Sequence, residues 1–203
     1  VKMGQNPMDL TEVGEIHESE YEAAKKWLGD TGFYVCNHEG HNAMANLLAR
    51  MEFMATTLGV KVIVLDHITA AATAMMADED ANNERILIDG LMKSIRSLCV
   101  RTGVHIDIIS QLRKSDKAYE EGSRITLQDL RGSGSLSSVP NTVIGLERDR
   151  QNANDKEANT TIVRVLKNRL TGRAGVASGL YYDRDTSRLE EVDPNFDSTP
   201  EFA

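Results

Sequence analysis

The chain has 203 residues, 40% of them hydrophobic and 27% charged, a composition that fits one globular domain able to bury a core without covalent staples. Its 2 cysteines, Cys36 and Cys99, are too few for a disulfide framework, and its net charge of -8 argues against a uniformly basic nucleic-acid module. No apolar run approaches the length of a membrane span, and the opening VKMGQNPMDL lacks a charged segment ahead of an apolar one. The expected compartment is therefore the cytoplasm, with no membrane partner.

Residues 11 to 28 open with Thr11 and an acid-rich turn and close near Gly29, the pattern of a capped helix. FYVCN, beginning at Phe33, reads as a short strand. In the next segment Leu47, Leu48, Met51, Met54 and Leu58 recur at three- and four-residue steps, which predicts a core-facing helix ended by Gly59. Residues 60 to 65 then read as a buried strand that stops at Asp66. A polar, Ala-rich and acidic stretch leads to a second helix with a stripe of Ile86, Leu87, Leu91, Ile95, Leu98 and Cys99, halted at Gly103. VHIDIISQL is the second buried-type strand, so strand, helix and strand predict a right-handed crossover in a parallel sheet.

After Leu112 the texture becomes Ser- and Gly-rich and predicts loop, with one short helix begun near Thr126. TVIGLER, TTIVRVLKNR and SGLYYDRDT are three further strands, and DRQNANDKEAN between the first two reads as a disordered hairpin tip. The tail from residue 191 is acidic, broken by proline and expected to be disordered. Charge is uneven along this order. Residues 113 to 173 hold 12 Lys and Arg against 8 Asp and Glu, leaving 11 against 23 elsewhere. Arg164, Lys167, Arg169 and Arg173 lie in a stretch without any acid, so a local basic surface is expected on an acidic protein.

In open parallel sheets ligands sit beyond the carboxyl ends of the strands. Asp66 and the pair Ser110 and Gln111 are expected at two such ends, facing one crevice. A carboxylate there can hold Mg²⁺, usually through water, and a neutral amide beside it can donate to a phosphate oxygen without titrating. Lys167 and Arg169, two residues apart on a strand, point to one face. Cys36, His38 and His41 invite a zinc reading, but no fourth ligand stands at zinc spacing.

LDHI, ISQL, DLRGSGSL, GLERDR and LKNRLTG, in this order from about residue 55 to 190, resemble the DnaB-like ring-forming replicative DNA helicases, above all the helicase half of phage primase-helicases. The resemblance implies an α/β RecA-like three-layer core: a mostly parallel central sheet with antiparallel strands late in the chain, N-terminally incomplete, over residues 1–190, followed by the tail 191–203. It implies that Asp66 is the Walker B acid holding Mg²⁺ with ATP or dTTP, and that Gln111 senses the γ-phosphate. It further implies that Arg169, with Lys167 beside it, is an arginine finger given to a neighbour's nucleotide. Arg148 and Tyr182 match positions flanking the base. Lys114, Lys117, Arg131, Gly132 and Ser133 match the loops that hold single-stranded DNA inside a homo-hexamer or heptamer. A primase domain upstream and contact with the replicative DNA polymerase through the acidic tail, in a phage-infected bacterial cell, complete the expectation.

One departure stands out: the phosphate loop G-x-x-x-x-G-K-[ST] occurs nowhere in these residues. The family's catalytic glutamate has no match either, since neither Glu20 nor Glu39 sits in the right context. Both features would precede Val1, so the chain alone is expected to bind NTP poorly and hydrolyse none. A RecA-type recombinase or repair ATPase, and a non-catalytic ring-assembly or DNA-binding subunit, are the alternatives.

Overall fold

The computed structural model describes residues 18–36, 44–76, 81–113, 118–132 and 134–193. Its core forms where two amphipathic helices meet one face of a short parallel sheet. Helix α2 (Met44–Thr56) contributes Leu47 and Met51, and α4 (Ala81–Thr102) contributes Ile88, Leu91, Met92, Ile95 and Leu98, all buried. These apolar positions fall on one stripe of each helix, as a period of 3.6 requires. The predicted Ile86 lies off that stripe and is exposed, while Ile88 and Met92 take its place in the core. Gly103, at φ +72, ends α4 and turns the chain into the next strand.

Strands β1 (Val62–Leu65) and β2 (His105–Ile108) pair in parallel, Val62 opposite His105 and Leu65 opposite Ile108, with α4 as the crossover. Both were expected to be buried strands, but burial is one-sided. Ile63 faces the helices, whereas Val62 and Val64 on the other face are exposed. An apolar run of β-branched residues suits a strand covered on both sides; here the described helices cover one.

Between β1 and α4 the chain forms a short helix, α3 (Ile68–Thr73), which the sequence reading does not contain; Ile68 and Ala72 are wholly buried in the same core. Of residues 33–37, predicted as strand, 33–36 form no regular element and pair with no strand among the described residues, with Phe33, Tyr34 and Val35 exposed, and Asn37 lies outside the described residues. An extended apolar segment becomes a strand only when a neighbour completes its ladder. The helix before them, α1 (Glu18–Gly29), buries none of its residues. Thr11, its predicted cap, lies outside the described residues.

A second sheet is antiparallel, in the order β3 (Thr142–Glu147), β4 (Thr160–Asn168), β5 (Gly175–Asp183) and β6 (Arg188–Val192). The last strand runs two residues past the expected domain boundary at 190. The expected disordered tip between β3 and β4 is ordered: Asn154 caps α6 (Asp155–Ala158) through Lys156 N at 3.0 Å, and Asn152 Nδ2 donates to Glu157 at 2.9 Å. Polar side chains that bond their own backbone build a turn as firmly as apolar ones build a core. The segment predicted as loop is likewise tied down. A 3₁₀ turn (Leu127–Asp129) starts at Thr126, and helix α5 (Ser135–Ser138) follows it. No described helix is long and apolar enough to cross a membrane.

Candidate functional site

The carboxyl ends of β1 and β2 are laced together by backbone bonds, Ile109 N to Leu65 O and Ile68 N to Ile109 O, each 3.0 Å. Asp66 stands between those two bonds, exposed, and its carboxylate has no partner among the described residues. A free carboxylate at a strand end suits a hydrated Mg²⁺. The peptide bond from Asp66 to His67 is cis. His67, half-buried, has extended backbone (φ -121, ψ 160) and caps α3, its Nδ1 accepting from Ala70 N at 3.0 Å. Its other ring nitrogen, Nε2, lies 3.2 Å from Gln111 Nε2. Gln111 is thus in contact with the residue next to Asp66, one that the sequence reading did not single out. The signal was available: a ring with two polar atoms directly follows the strand-end acid.

From Gln111 the chain is stapled to the DLRGSG turn. Leu112 and Leu130 form an isolated antiparallel bridge, Arg131 N donates to Gln111 O at 3.0 Å, and Arg113 N donates to Asp129 O at 2.8 Å. Asp129, 2% exposed, closes a capping box by accepting from Thr126 N and Thr126 Oγ1, both at 2.7 Å. The side chain of Arg131 donates from Nη1 to Gln111 Oε1 at 3.4 Å, and its Nη2 lies 3.6 Å from Glu84 Oε2 at the start of α4. Gly132 has φ +108 and approaches Ile88 so closely that a β-carbon would lie 2.7 Å from Ile88 Cδ1. Packing explains this glycine without any ligand. Lys114, Lys117 and Ser133 lie outside the described residues.

Lys167 lies near the end of β4 and Arg169 in the turn just past it, so the expected common strand does not reach Arg169; both side chains nevertheless reach the carbonyls that end α5. Lys167 Nζ donates to Ser137 O at 2.7 Å and Ser138 O at 3.0 Å, and Arg169 Nη2 donates to Ser138 O at 2.6 Å. The carbonyl end of a helix attracts cations. Desolvation, and then the adjoining Arg169 charge, hold the Lys167 ammonium below the usual lysine value. Because α5 begins just after the DLRGSG turn, one short helix separates that turn from the two cations.

Arg148 and Tyr182 also converge, on a residue the sequence reading missed. Asn159, 1% exposed, accepts at Oδ1 from Arg148 Nη2 (2.9 Å) and Arg184 Nε (3.1 Å), and its carbonyl accepts from Tyr182 N at 2.8 Å. The Arg148 Nε donates to Ala158 O at 2.7 Å, and the Tyr182 hydroxyl to Ser187 Oγ at 3.0 Å. Arg164, counted above in a basic surface, is instead an internal ion: it makes a bidentate pair with buried Glu147 at 2.8 and 2.9 Å, and that hydrogen-bonded carboxylate raises its pKa. Cys36 is exposed and His38 and His41 lie outside the described residues, among which no group of three metal-ligand side chains occurs. Glu20 is exposed on α1, and Glu39 lies outside the described residues.

The parallel and antiparallel sheets with helices against them form a RecA-like α/β fold, that of helicase ATPase domains. Two solved structures share it: a DnaB-like replicative helicase studied with its interactions with primase (TM-score 0.71, 14% identity, 93% of this chain and 46% of that one), and the ATPase domain of G40P (TM-score 0.65, 14% identity, 88% and 62%). Residues 5–191 match the DnaB-like helicase C-terminal domain, and the chain belongs to that family. It is also 38% identical over 164 residues to the DNA helicase/primase of Enterobacteria phage T3, a match covering 80% of this chain and 28% of that protein. The chain thus spans under a third of that relative's length.

Proposed function

We propose that this chain is the C-terminal portion of an NTP-dependent ring helicase that unwinds duplex DNA in phage replication while moving along single-stranded DNA. One observation carries the reading: the free carboxylate of Asp66 and the amide of Gln111 stand at adjoining strand ends, and Gln111 is bonded to the turn containing Arg131. In this reading Asp66 holds Mg²⁺ through water beside ATP or dTTP; the chemistry the ion supplies is neutralisation of phosphate charge. Gln111 donates to the γ-phosphate when it is present and reports its loss to the DLRGSG turn. Arg131, with Lys114, Lys117 and backbone amides at Gly132 and Ser133, holds DNA phosphates. Arg131 leaves Glu84 to do so.

Arg169 and Lys167 serve the triphosphate of the next subunit in a hexamer or heptamer, exchanging the Ser138 carbonyl for phosphate oxygens as charge develops in the transition state. Arg148 and Tyr182 flank the base. Their bonds to Ala158, Asn159 and Ser187 fix both side chains in place and reduce the ordering cost of stacking. A phosphate loop and the general base come from sequence upstream, where a primase segment also belongs. The protein works in the cytoplasm of the infected cell, and the tail after residue 193 contacts the replicative polymerase; equal polymerase affinity after removal of 194–203 discards that contact.

The test is a helicase assay on the polypeptide that joins this chain to a phosphate loop. The expected result is NTP hydrolysis stimulated by single-stranded DNA together with unwinding of a forked duplex. Strand exchange without unwinding would assign a recombinase instead, and DNA binding without hydrolysis would assign a non-catalytic ring subunit.

A further inference from the structure

The Gln111 amide faces two donors and owns one acceptor. Because His67 Nδ1 accepts from Ala70 N at 3.0 Å, the neutral ring carries its proton on Nε2. That proton points at the Gln111 amide, 3.2 Å away. On the other side Arg131 Nη1, always charged, points at the Gln111 oxygen at 3.4 Å. A primary amide has its oxygen and nitrogen related by a half-turn about its last bond, a soft two-fold torsion. Only one orientation satisfies His67 and only the other satisfies Arg131. The structure holds the Arg131 orientation, with the amide NH₂ against the ring.

We propose that His67 is a positioning residue that competes with Arg131 for the Gln111 carbonyl, so that phosphate capture by Arg131 turns the sensor amide. This rests on the helicase reading above. When a DNA phosphate takes the Arg131 guanidinium, the carbonyl turns to His67 Nε2–H, and the amide NH₂ leaves the ring and becomes free to donate elsewhere. DNA occupancy is thereby converted into the direction in which Gln111 offers its protons. The cap that His67 places on α3 fixes the tautomer on which the device depends, linking the residue next to Asp66 to the DNA-side turn.

His67→Asn separates this role from capping. Asparagine is among the best helix N-caps, so α3 keeps its first turn, but its shorter side chain cannot reach Gln111. In the polypeptide that includes the phosphate loop, H67N is expected to reduce the stimulation of kcat by single-stranded DNA about tenfold, within the usual range of coupling between two sites. KM for NTP and the melting temperature should stay as in the unsubstituted protein. R131A should abolish most of the stimulation, and H67N/R131A should lose no more than R131A, because both act through one amide. Full stimulation in H67N overturns the proposal, as does a loss that comes with a lower melting temperature or a raised KM, which would reduce His67 to a structural cap. Should the unsubstituted polypeptide show no DNA-stimulated hydrolysis, the helicase reading falls first and this inference with it.

Discussion

Replacing Gly132 with alanine tests whether the DLRGSG turn owes its glycine to packing. The residue holds φ +108, and the new β-carbon would meet Ile88 Cδ1 at 2.7 Å and Leu136 Cδ1 at 3.6 Å. A non-glycine residue in such sparsely populated backbone costs about 1–3 kcal/mol. Crowding adds about 1–3 kcal/mol, the usual penalty for an extra carbon in a packed core. Ile88 is fully buried, so its terminal methyl has little space into which to turn. Together the terms give about 2–6 kcal/mol, which for a domain of this size lowers Tm by roughly 5–20 °C. Ile88→Val removes the clashing methyl and costs about 0.5–1.5 kcal/mol by itself. G132A/I88V should therefore be less damaging than the sum of the two changes, by about 1–2 kcal/mol. Urea denaturation followed by far-UV circular dichroism measures all four corners of this cycle. A G132A protein as stable as the parent, weakened only in single-stranded DNA binding, would refute the packing argument.

Two further changes probe other parts of the structure. Glu147→Ala strands Arg164, whose side chain is only 17% exposed, and leaves Ile125 N without its 2.8 Å acceptor; the expected loss is about 3–5 kcal/mol in chemical denaturation, with the apolar pair E147L/R164M recovering most of it. A loss below about 1 kcal/mol would show that the pair is solvent-compensated. Asp183 accepts from Thr186 Oγ1 at 2.7 Å and Asp185 N at 2.8 Å, and these bonds, the threonine's first, hold its pKa below the usual 3.8. A lowered carboxylate pKa stabilises the fold above the ordinary value, and that contribution disappears as pH falls through the lowered one. Melting of the parent should therefore depend more steeply on acid below pH 3.8 than melting of D183N; identical acid limbs would remove the turn from the account.

Local signals were legible where one short-range rule decides the outcome. Gly103 ended its helix and Thr126 began its turn, whereas the period of two that was to place Lys167 and Arg169 on one strand face stops at Asn168, and the two cations meet instead at the Ser138 carbonyl. His67, the neighbour of Asp66, reached Gln111 because a parallel pair joined by a helix must align its carboxyl ends. What escaped depends on partners distant in sequence. Nothing local marks Asn159 as the buried acceptor of Arg148 and Arg184, or Arg164 as the mate of Glu147, because each choice is made by a cross-strand neighbour. The exposed Val62 and Val64 were misread for a related reason: alternating burial in β1 is set by which face receives a helix, and both faces are equally apolar in sequence. Strand β6 carries Arg188, Glu190 and Glu191, charges typical of an edge strand, and its last two residues, 191 and 192, read as tail until β5 is seen beside them.

The central claim is that each triphosphate pocket is shared, with Asp66 from one subunit and Arg169 from its neighbour. Mixing two variants of the polypeptide that includes the phosphate loop, D66N and R169A, tests this directly. Each alone should be inactive. In mixed rings built from head-to-tail contacts, about one interface in four pairs an intact Asp66 with an intact Arg169, so hydrolysis should return to roughly a quarter of the parental rate. No recovery on mixing, in rings shown to contain both variants, would contradict the account.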